Sequence, residues 1–172
     1  MKKKFLGFTL IEMLVVLAVI GIVIGIVLVN YQKGKKQYEL QMAKQKIISE
    51  IRRVQNMSLG AVEFKGEVPK GGFGISFDKT TPSCYYVFAD KDEEKDYDGT
   101  SELVKKVYLP SKIEISSLSE NGGDVLYLDI VFLPPDPKTY VNAGENEGII
   151  TIKHKDTGNT LDIKITKGGV IE

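Results

Sequence analysis

The chain has 172 residues, 42% of them hydrophobic, which is enough for one ordinary domain and one membrane segment but not for two full domains. Its 23 basic and 23 acidic residues balance, so no bulk charge draws it to nucleic acid or to an anionic surface. A single cysteine, Cys84, excludes an internal disulfide and a cysteine-rich metal cluster.

An apolar run dominates the N-terminal region. Residues 13–29 contain no charged or strongly polar side chain, and the run extends back to Phe8 if Thr9 and Glu12 are included. At about 1.5 Å per residue, a helix over residues 8–29 spans about 33 Å, close to the roughly 30 Å hydrocarbon core of a bilayer. Three basic residues precede the run, Lys2, Lys3 and Lys4. The positive-inside tendency therefore predicts one membrane-spanning helix with a cytoplasmic N-terminus and the remainder outside.

A secretory signal peptide is the alternative interpretation of a basic start followed by an apolar run. Such a peptide needs small residues after the run, whereas this run ends Gly25-Ile-Val-Leu-Val-Asn30, without alanine or serine. A carboxylate, Glu12, also lies near the start of the run, where burial in lipid costs about 2 to 3 kcal/mol or more. Both features favour a retained helix with a function.

Residues 2–22, KKKFLGFTLIEMLVVLAVIGI, resemble the class III leader of type IV pilins and type II secretion pseudopilins. The resemblance implies that a prepilin peptidase cleaves between Gly7 and Phe8 and methylates the amine of Phe8. It further implies a structural subunit, not an enzyme, that enters the cytoplasmic (inner) membrane and then a pilus or pseudopilus. The partners implied are other pilin or pseudopilin subunits, the prepilin peptidase, the inner-membrane assembly platform and membrane lipid.

The same resemblance gives Glu12 an assembly role, in which its carboxylate pairs with the N-terminal ammonium of a neighbouring subunit. Opposite charges attract strongly in a low-dielectric core and an unpaired charge is costly, so the pair can fix the register between subunits. The alternative is that Glu12 merely reaches the head-group boundary. Gly21 and Gly25 form a small-xxx-small pair that lets helices approach closely, although glycine is also common in membrane helices.

The helix is predicted to continue beyond the membrane, to about Ser58. Apolar positions recur there at spacings of three and four, which is typical of an amphipathic helix, and Gly60 follows as a C-terminal glycine. These positions are Leu40, Ala43, Ile47, Ile51 and Val54. Four segments are therefore predicted: leader 1–7, transmembrane and filament-core helix 8–30, amphipathic helix 31–59, and a β-rich head, 60–172.

Short apolar runs between glycine, proline and aspartate residues predict the strands of the head. These lie near residues 73–77, 85–89, 104–109, 113–115, 125–132, 149–154 and 161–165. The last two alternate around residues 156–159 as a hairpin does. The predicted fold class is α+β, a long N-terminal helix with an antiparallel sheet packed on its second half, as in the pilin-like lollipop.

Within that family, the C-terminal part of the chain resembles the minor pseudopilin H and minor pilin FimT group. The resemblance rests on Val107-Tyr-Leu-Pro110, on the run 132–136 (FLPPD), on Ile149-Thr-Ile and on the terminal residues 163–171. A major pilin is the alternative. The N-terminal helix does not distinguish secretion, pilus extension and DNA uptake, because all three systems share it.

An acidic loop, residues 90–102, is the one segment of the sequence that is predicted to bind a metal ion. Its acids recur at alternating positions, and residues 90–98 hold six acids against two lysines. Oxygen ligands spaced in this way can surround Ca²⁺. The candidate ligands are Asp90, Asp92, Glu94, Asp96, Asp98 and Glu102. Lys95 stands where an EF-hand loop has glycine, so a solvated acidic loop is the alternative.

The sequence contains no recognisable catalytic set, and no cofactor other than Ca²⁺ is considered. His154 is the only histidine, and a surface or hydrogen-bonding role is predicted for it. Cys84 is predicted to pack, and the glycines of residues 71–74 to shape a turn.

The predicted function is a minor pilin or pseudopilin. The alternative is a filament-tip adhesin or ligand-binding pilin whose head recognises a surface, DNA or a secreted substrate, although the charge balance predicts no nucleic-acid contact.

Overall fold

A computed structural model of the chain describes residues 8–134 and 138–172. Residues 1–7, predicted to be the leader, and the proline-rich residues 135–137 lie outside the described residues. The chain divides into two compact units, the first ending at Tyr38 and the second comprising Glu39–Glu172. The described elements are one helix, α1 (Leu10–Leu59), and the strands β1 (Gly72–Asp78), β2 (Cys84–Asp90), β3 (Leu103–Tyr108), β4 (Ile113–Glu120), β5 (Gly123–Val125), β6 (Tyr127–Leu133), β7 (Lys138–Val141), β8 (Gly148–His154) and β9 (Thr160–Ile165).

Helix α1 ends in a Schellman-type motif. The N–H of Ala61 donates to the carbonyl of Ser58, and the N–H of Val62 donates to that of Met57. The residue that takes the left-handed conformation is Ala61, with φ 46°, and not Gly60, on which the sequence prediction relied. The predicted helix end, near Ser58, nevertheless lies within one residue of the observed end, Leu59.

The predicted amphipathic stripe is confirmed within the second unit. All five of its residues are buried, with exposed fractions of 0 to 2%. They join one hydrophobic core with the inward residues of the strands. Burying an aliphatic side chain of this size contributes about 1.5 to 3 kcal/mol, so this stripe holds the end of α1 against the head.

The strands form two antiparallel sheets, where the sequence pattern predicted one. The first has the order β3-β2-β1-β6-β7 and the second has the order β5-β4-β8-β9. Leu126 separates β5 from β6, so the run predicted as one strand at 125–132 changes sheet there. The predicted β8–β9 hairpin is confirmed, and β7 was missed. The α+β fold class is confirmed: an apolar N-terminal helix, and antiparallel sheets packed on the second half of that helix.

The glycines of residues 71–74 do not shape a simple turn as predicted, because Gly72 and Gly74 belong to β1. Gly72 has φ +87°, and an added Cβ would lie 2.2 Å from the carbonyl oxygen of Phe132. An added Cβ at Gly71 would lie 2.1 Å from the carboxylate of Asp90. These glycines therefore allow β6 and the acidic loop to approach the start of β1 closely.

Candidate functional site: the N-terminal segment and the acidic loop

Helix α1 begins with a reciprocal pair of side-chain hydrogen bonds. The N–H of Glu12 donates to Oγ1 of Thr9 at 3.3 Å, and the N–H of Thr9 donates to Oε2 of Glu12 at 3.4 Å. This is a capping box, which satisfies two N–H groups that a helix start leaves without partners. Sequence reasoning missed this role of Glu12, although the T-x-x-E spacing before an apolar run was the signal for it.

The apolar segment, Leu10–Leu28, is exposed along its whole length. It is long and apolar enough to cross a membrane by length and composition, and none of it is buried. Phe8, just before it, is 78% exposed. An added Cβ at Gly21 or Gly25 would have nothing within 4 Å. No contact among the described residues therefore requires glycine at these two positions.

The capped helix start and the exposed apolar segment lie within a stretch of sequence that matches a known motif. Residues 2–28 match the family model for the prokaryotic N-terminal methylation motif. The match supports a leader of the type IV pilin and pseudopilin type, found on structural subunits and not on enzymes. It implies processing by a prepilin peptidase and assembly with other pilin subunits, and together with the apolar segment it fits an anchor in the inner membrane. Comparisons with curated proteins and with solved structures give no match.

Polar contacts fix the other half of α1 to the strands of the second unit. Nδ1 of His154 accepts the N–H of Asp156 at 3.2 Å, so Nε2 carries the proton and donates to Glu39 at 3.3 Å. The predicted hydrogen-bonding role of His154 is confirmed, whereas a surface position is wrong because the residue is fully buried.

Glu50 makes the second of these contacts. Its carboxylate lies 2.7 Å from Arg53 and 3.6 Å from Lys105 of β3. Burial alone would raise the pKa of Glu50, but the two cations outweigh that effect and hold its pKa below the ordinary value. Burial, reinforced by the charge of Glu50, raises the pKa of the neighbouring Tyr85 hydroxyl.

The acidic loop connects β2 to β3, and it begins and ends on a buried carboxylate. Asp90 is fully buried and Glu102 is 2% exposed. The oxygens of Asp90 accept the N–H groups of Glu93 and Lys95, at 2.8 and 3.1 Å. Oε1 of Glu102 accepts the N–H of Lys91 at 2.9 Å. Burial raises the pKa of both acids, and the backbone N–H groups offset only part of this shift.

The structure places five of the six predicted ligands in two overlapping groups. Each group has carboxylate oxygens within 4.8 Å of one another. The first comprises Asp90, Asp92 and Glu102, and the second comprises Asp92, Glu94 and Asp98. Asp96 belongs to neither group.

Asp96 instead lines a cavity of about 420 Å³ on the face of the first sheet that points away from the core. Its other lining residues are Ser76, Asp78, Tyr86, Tyr97, Tyr127 and Asp129. Burial raises the pKa of Asp129 to about 6, and the charges of Asp96 and Asp78 add to this shift against hydrogen bonds from Ser76 and Tyr97. No spacing in the sequence signals this cavity, because its residues come from β1, β2, β6 and the acidic loop.

Proposed function

We propose that the chain is a minor subunit of a type IV pilus or type II secretion pseudopilus, cleaved between Gly7 and Phe8 and assembled through α1. The observation that carries the proposal is the coincidence of the methylation motif with an apolar segment that the described residues leave entirely unburied. Lipid covers this segment before assembly, and the helices of neighbouring subunits cover it in the filament. Gly21 and Gly25, open on one face, give those helices room to approach.

The four segments follow from this proposal. Residues 1–7 are the removed leader, residues 8–30 form the membrane anchor and filament core, and residues 31–59 carry the helix into the head. The head, residues 60–172, lies outside the cytoplasmic membrane. The order of proline and apolar positions in the head, like that of the minor pseudopilin H and FimT group, favours a minor over a major subunit.

Cleavage would place the new ammonium directly beside the start of α1. Phe8 precedes Thr9, the residue that caps the helix, so the ammonium would lie near the positive end of the helix dipole. A cation there is stabilised by an external carboxylate. Glu12 of a neighbouring subunit supplies one, since its side chain is exposed at the surface of the free helix.

Replacing the leader glycine tests the processing step. Gly7→Leu should leave the full-length chain with no methylated Phe8, because the small residue before the cleaved bond is lost. Gly25→Leu is the matched control, as it makes the same substitution in the adjoining membrane segment, away from the cleaved bond, and should be processed normally. Mass spectrometry of the N-terminal peptide measures both, and a mature, methylated N-terminus in Gly7→Leu would contradict the proposal.

A second substitution separates the two roles of Glu12. Glu12→Gln keeps the capping box, since glutamine also serves at that position, but removes the charge. We expect normal cleavage and an unchanged head, while incorporation into sheared filaments falls at least about tenfold because the neighbour's ammonium is left unpaired. Wild-type incorporation of Glu12→Gln would show that the charge has no assembly role.

A ligand-binding head is the second candidate function, and the cavity around Asp129 favours it. Three carboxylates and three tyrosine rings line this cavity, a combination that suits a cationic group and disfavours DNA. Spermidine, titrated into the full chain in detergent and followed by tyrosine fluorescence, probes this chemistry. Saturable binding that Asp78→Asn weakens would support a binding role, whereas no spectral change at millimolar spermidine would reject it.

A further inference from the structure

We propose that the residues just after the apolar segment bind the anionic head groups of phospholipids in the outer leaflet of the cytoplasmic membrane. These residues are Tyr31, Lys35 and Lys36, which we call the interfacial collar. The inference rests on the proposed membrane anchor, and it goes further by naming the class of lipid that the outer end of the anchor selects. It concerns the first unit alone, since that unit ends at Tyr38.

The collar carries positive charge that the neighbouring residues do not balance. Residues 13–38 contain three lysines and no aspartate or glutamate. None of the ion pairs among residues 8–134 and 138–172 includes Lys35 or Lys36. The first acid that follows, Glu39, accepts a hydrogen bond from His154 at 3.3 Å. The described residues therefore give the collar no ion-pair partner, and an anionic surface supplies one.

The rise of α1 brings the collar to the level of the lipid head groups when the apolar segment lies in the bilayer. Beyond Leu28, at about 1.5 Å per residue, Tyr31 follows after about 4.5 Å and Lys35 after about 10.5 Å. The head-group layer is roughly 5 to 8 Å thick on each side of the hydrocarbon core. Helical side chains lean toward the N-terminus, so the long side chain of Lys35 reaches back to this layer. Lipid head groups are thus the first surface that the collar meets.

Tyr31 marks the boundary between the apolar segment and the lysines. It is 70% exposed and is the first aromatic residue after Phe8 in the sequence. Tyrosine is enriched at membrane–water interfaces, because its ring has an apolar body and a polar hydroxyl. Lys35 is exposed and lies four residues further on, hence on the same face of α1. A tyrosine anchored at the interface therefore holds this ammonium beside the phosphates.

The orientation of the helix does not account for these lysines. The positive-inside tendency favours basic residues at the cytoplasmic end, and the three lysines of residues 2–4 provide that signal. Lysines just beyond the other end of the span weaken it. A lysine near an anionic lipid surface, in contrast, strengthens binding about fivefold. Lipid binding therefore explains a charge that the orientation signal does not.

The lipid selectivity of the full chain in phosphatidylcholine vesicles tests this inference. Spin-labelled phosphatidylglycerol or phosphatidylcholine is added in trace amounts, and electron paramagnetic resonance measures the fraction that the protein immobilises. Lys2→Gln, Lys3→Gln and Lys4→Gln are present throughout, so that the other end of the helix contributes no lysine charge. We expect phosphatidylglycerol to be selected at least about threefold over phosphatidylcholine. Added NaCl at about 0.5 M should reduce this selectivity, because salt screens the attraction.

Two charge-matched variants locate the selectivity. Lys35→Gln combined with Lys36→Gln should reduce it at least about twofold. Lys44→Gln combined with Lys46→Gln, in the second unit, is the matched control and should leave it unchanged. Unchanged selectivity in the collar variant, or an equal loss in both variants, would overturn the proposal.

The same spectra distinguish a failure of the collar from a failure of the anchor. Equal immobilisation of the two lipids by the unsubstituted collar would overturn the lipid preference and leave the membrane anchor intact. Immobilisation of neither lipid would overturn the anchor itself, and this inference with it.

Discussion

The two halves of α1 use similar residues in opposite ways. In the first unit the apolar segment is hydrophobic on all sides, and Ile20 is 46% exposed. In the second unit the apolar residues form one stripe, and Ile51 is fully buried. A helix that is apolar all round needs a surrounding partner, whereas a striped helix needs one flat partner. The head supplies the flat partner, whereas the described residues leave the apolar segment uncovered.

Truncating the same residue type in each half tests this contrast most strongly. Ile51→Ala should lower the free energy of unfolding of the head by about 2 to 5 kcal/mol, because it opens a cavity in a packed core. Ile20→Ala should leave that free energy unchanged. Urea unfolding of the full chain in detergent, followed by tyrosine fluorescence, measures both variants. Equal losses would mean that the two halves are not independent.

Asp129 sharpens the comparison from within the head, since its half-buried carboxyl has no counterpart in the apolar segment. The folded-state pKa, about 6, lies above the ordinary 3.8, so ionisation destabilises the fold as pH rises from about 4 to 6. Asp129→Asn removes that loss. It should stabilise the head at pH 7 by up to about 3 kcal/mol and have little effect at pH 3.5. The same gain at both pH values would show that ionisation is not the cause.

Ser58 tests the polar connection at the end of α1. Its hydroxyl accepts the N–H of Phe73 at 2.7 Å and donates to the carbonyl of Phe132, and the residue is 2% exposed. Ser58→Ala leaves these buried groups without this partner and should cost about 1 to 3 kcal/mol of unfolding free energy. Ser49→Ala, in the same helix but with an exposed hydrogen bond, should cost less than about 0.5 kcal/mol. A similar loss in both variants would contradict this account.

Substitution of Thr9 is expected to change stability the least, and only in the first turn of α1. Thr9→Ala removes one side of the capping box and should destabilise the first turn of α1 by about 1 kcal/mol. Hydrogen exchange of the first-turn amides should be about fivefold faster, since 1 kcal/mol corresponds to roughly that ratio. The unfolding midpoint of the head should not move. A lower midpoint would show that the helix start and the head unfold together.

Periodicity and local chemistry made part of the fold predictable. The stripe from Leu40 to Val54 follows the helical period, and the hairpin at β8–β9 follows alternation with a turn between, so both were predicted correctly. The division into two sheets was not, because a change of sheet at Leu126 depends on which distant strands pair. The burial of His154 and the close approach at Gly72 were missed for the same reason.

The sequence by itself determined the N-terminal identification, because that motif lies in consecutive residues and residues 2–28 alone match a known family model. It also determined the fold class, since helical and strand periods are local properties of the chain. Only the tertiary structure decided which acids of the loop converge and that Asp96 lies apart from them. Burial and convergence depend on residues far apart in the chain, so no spacing along the sequence records them.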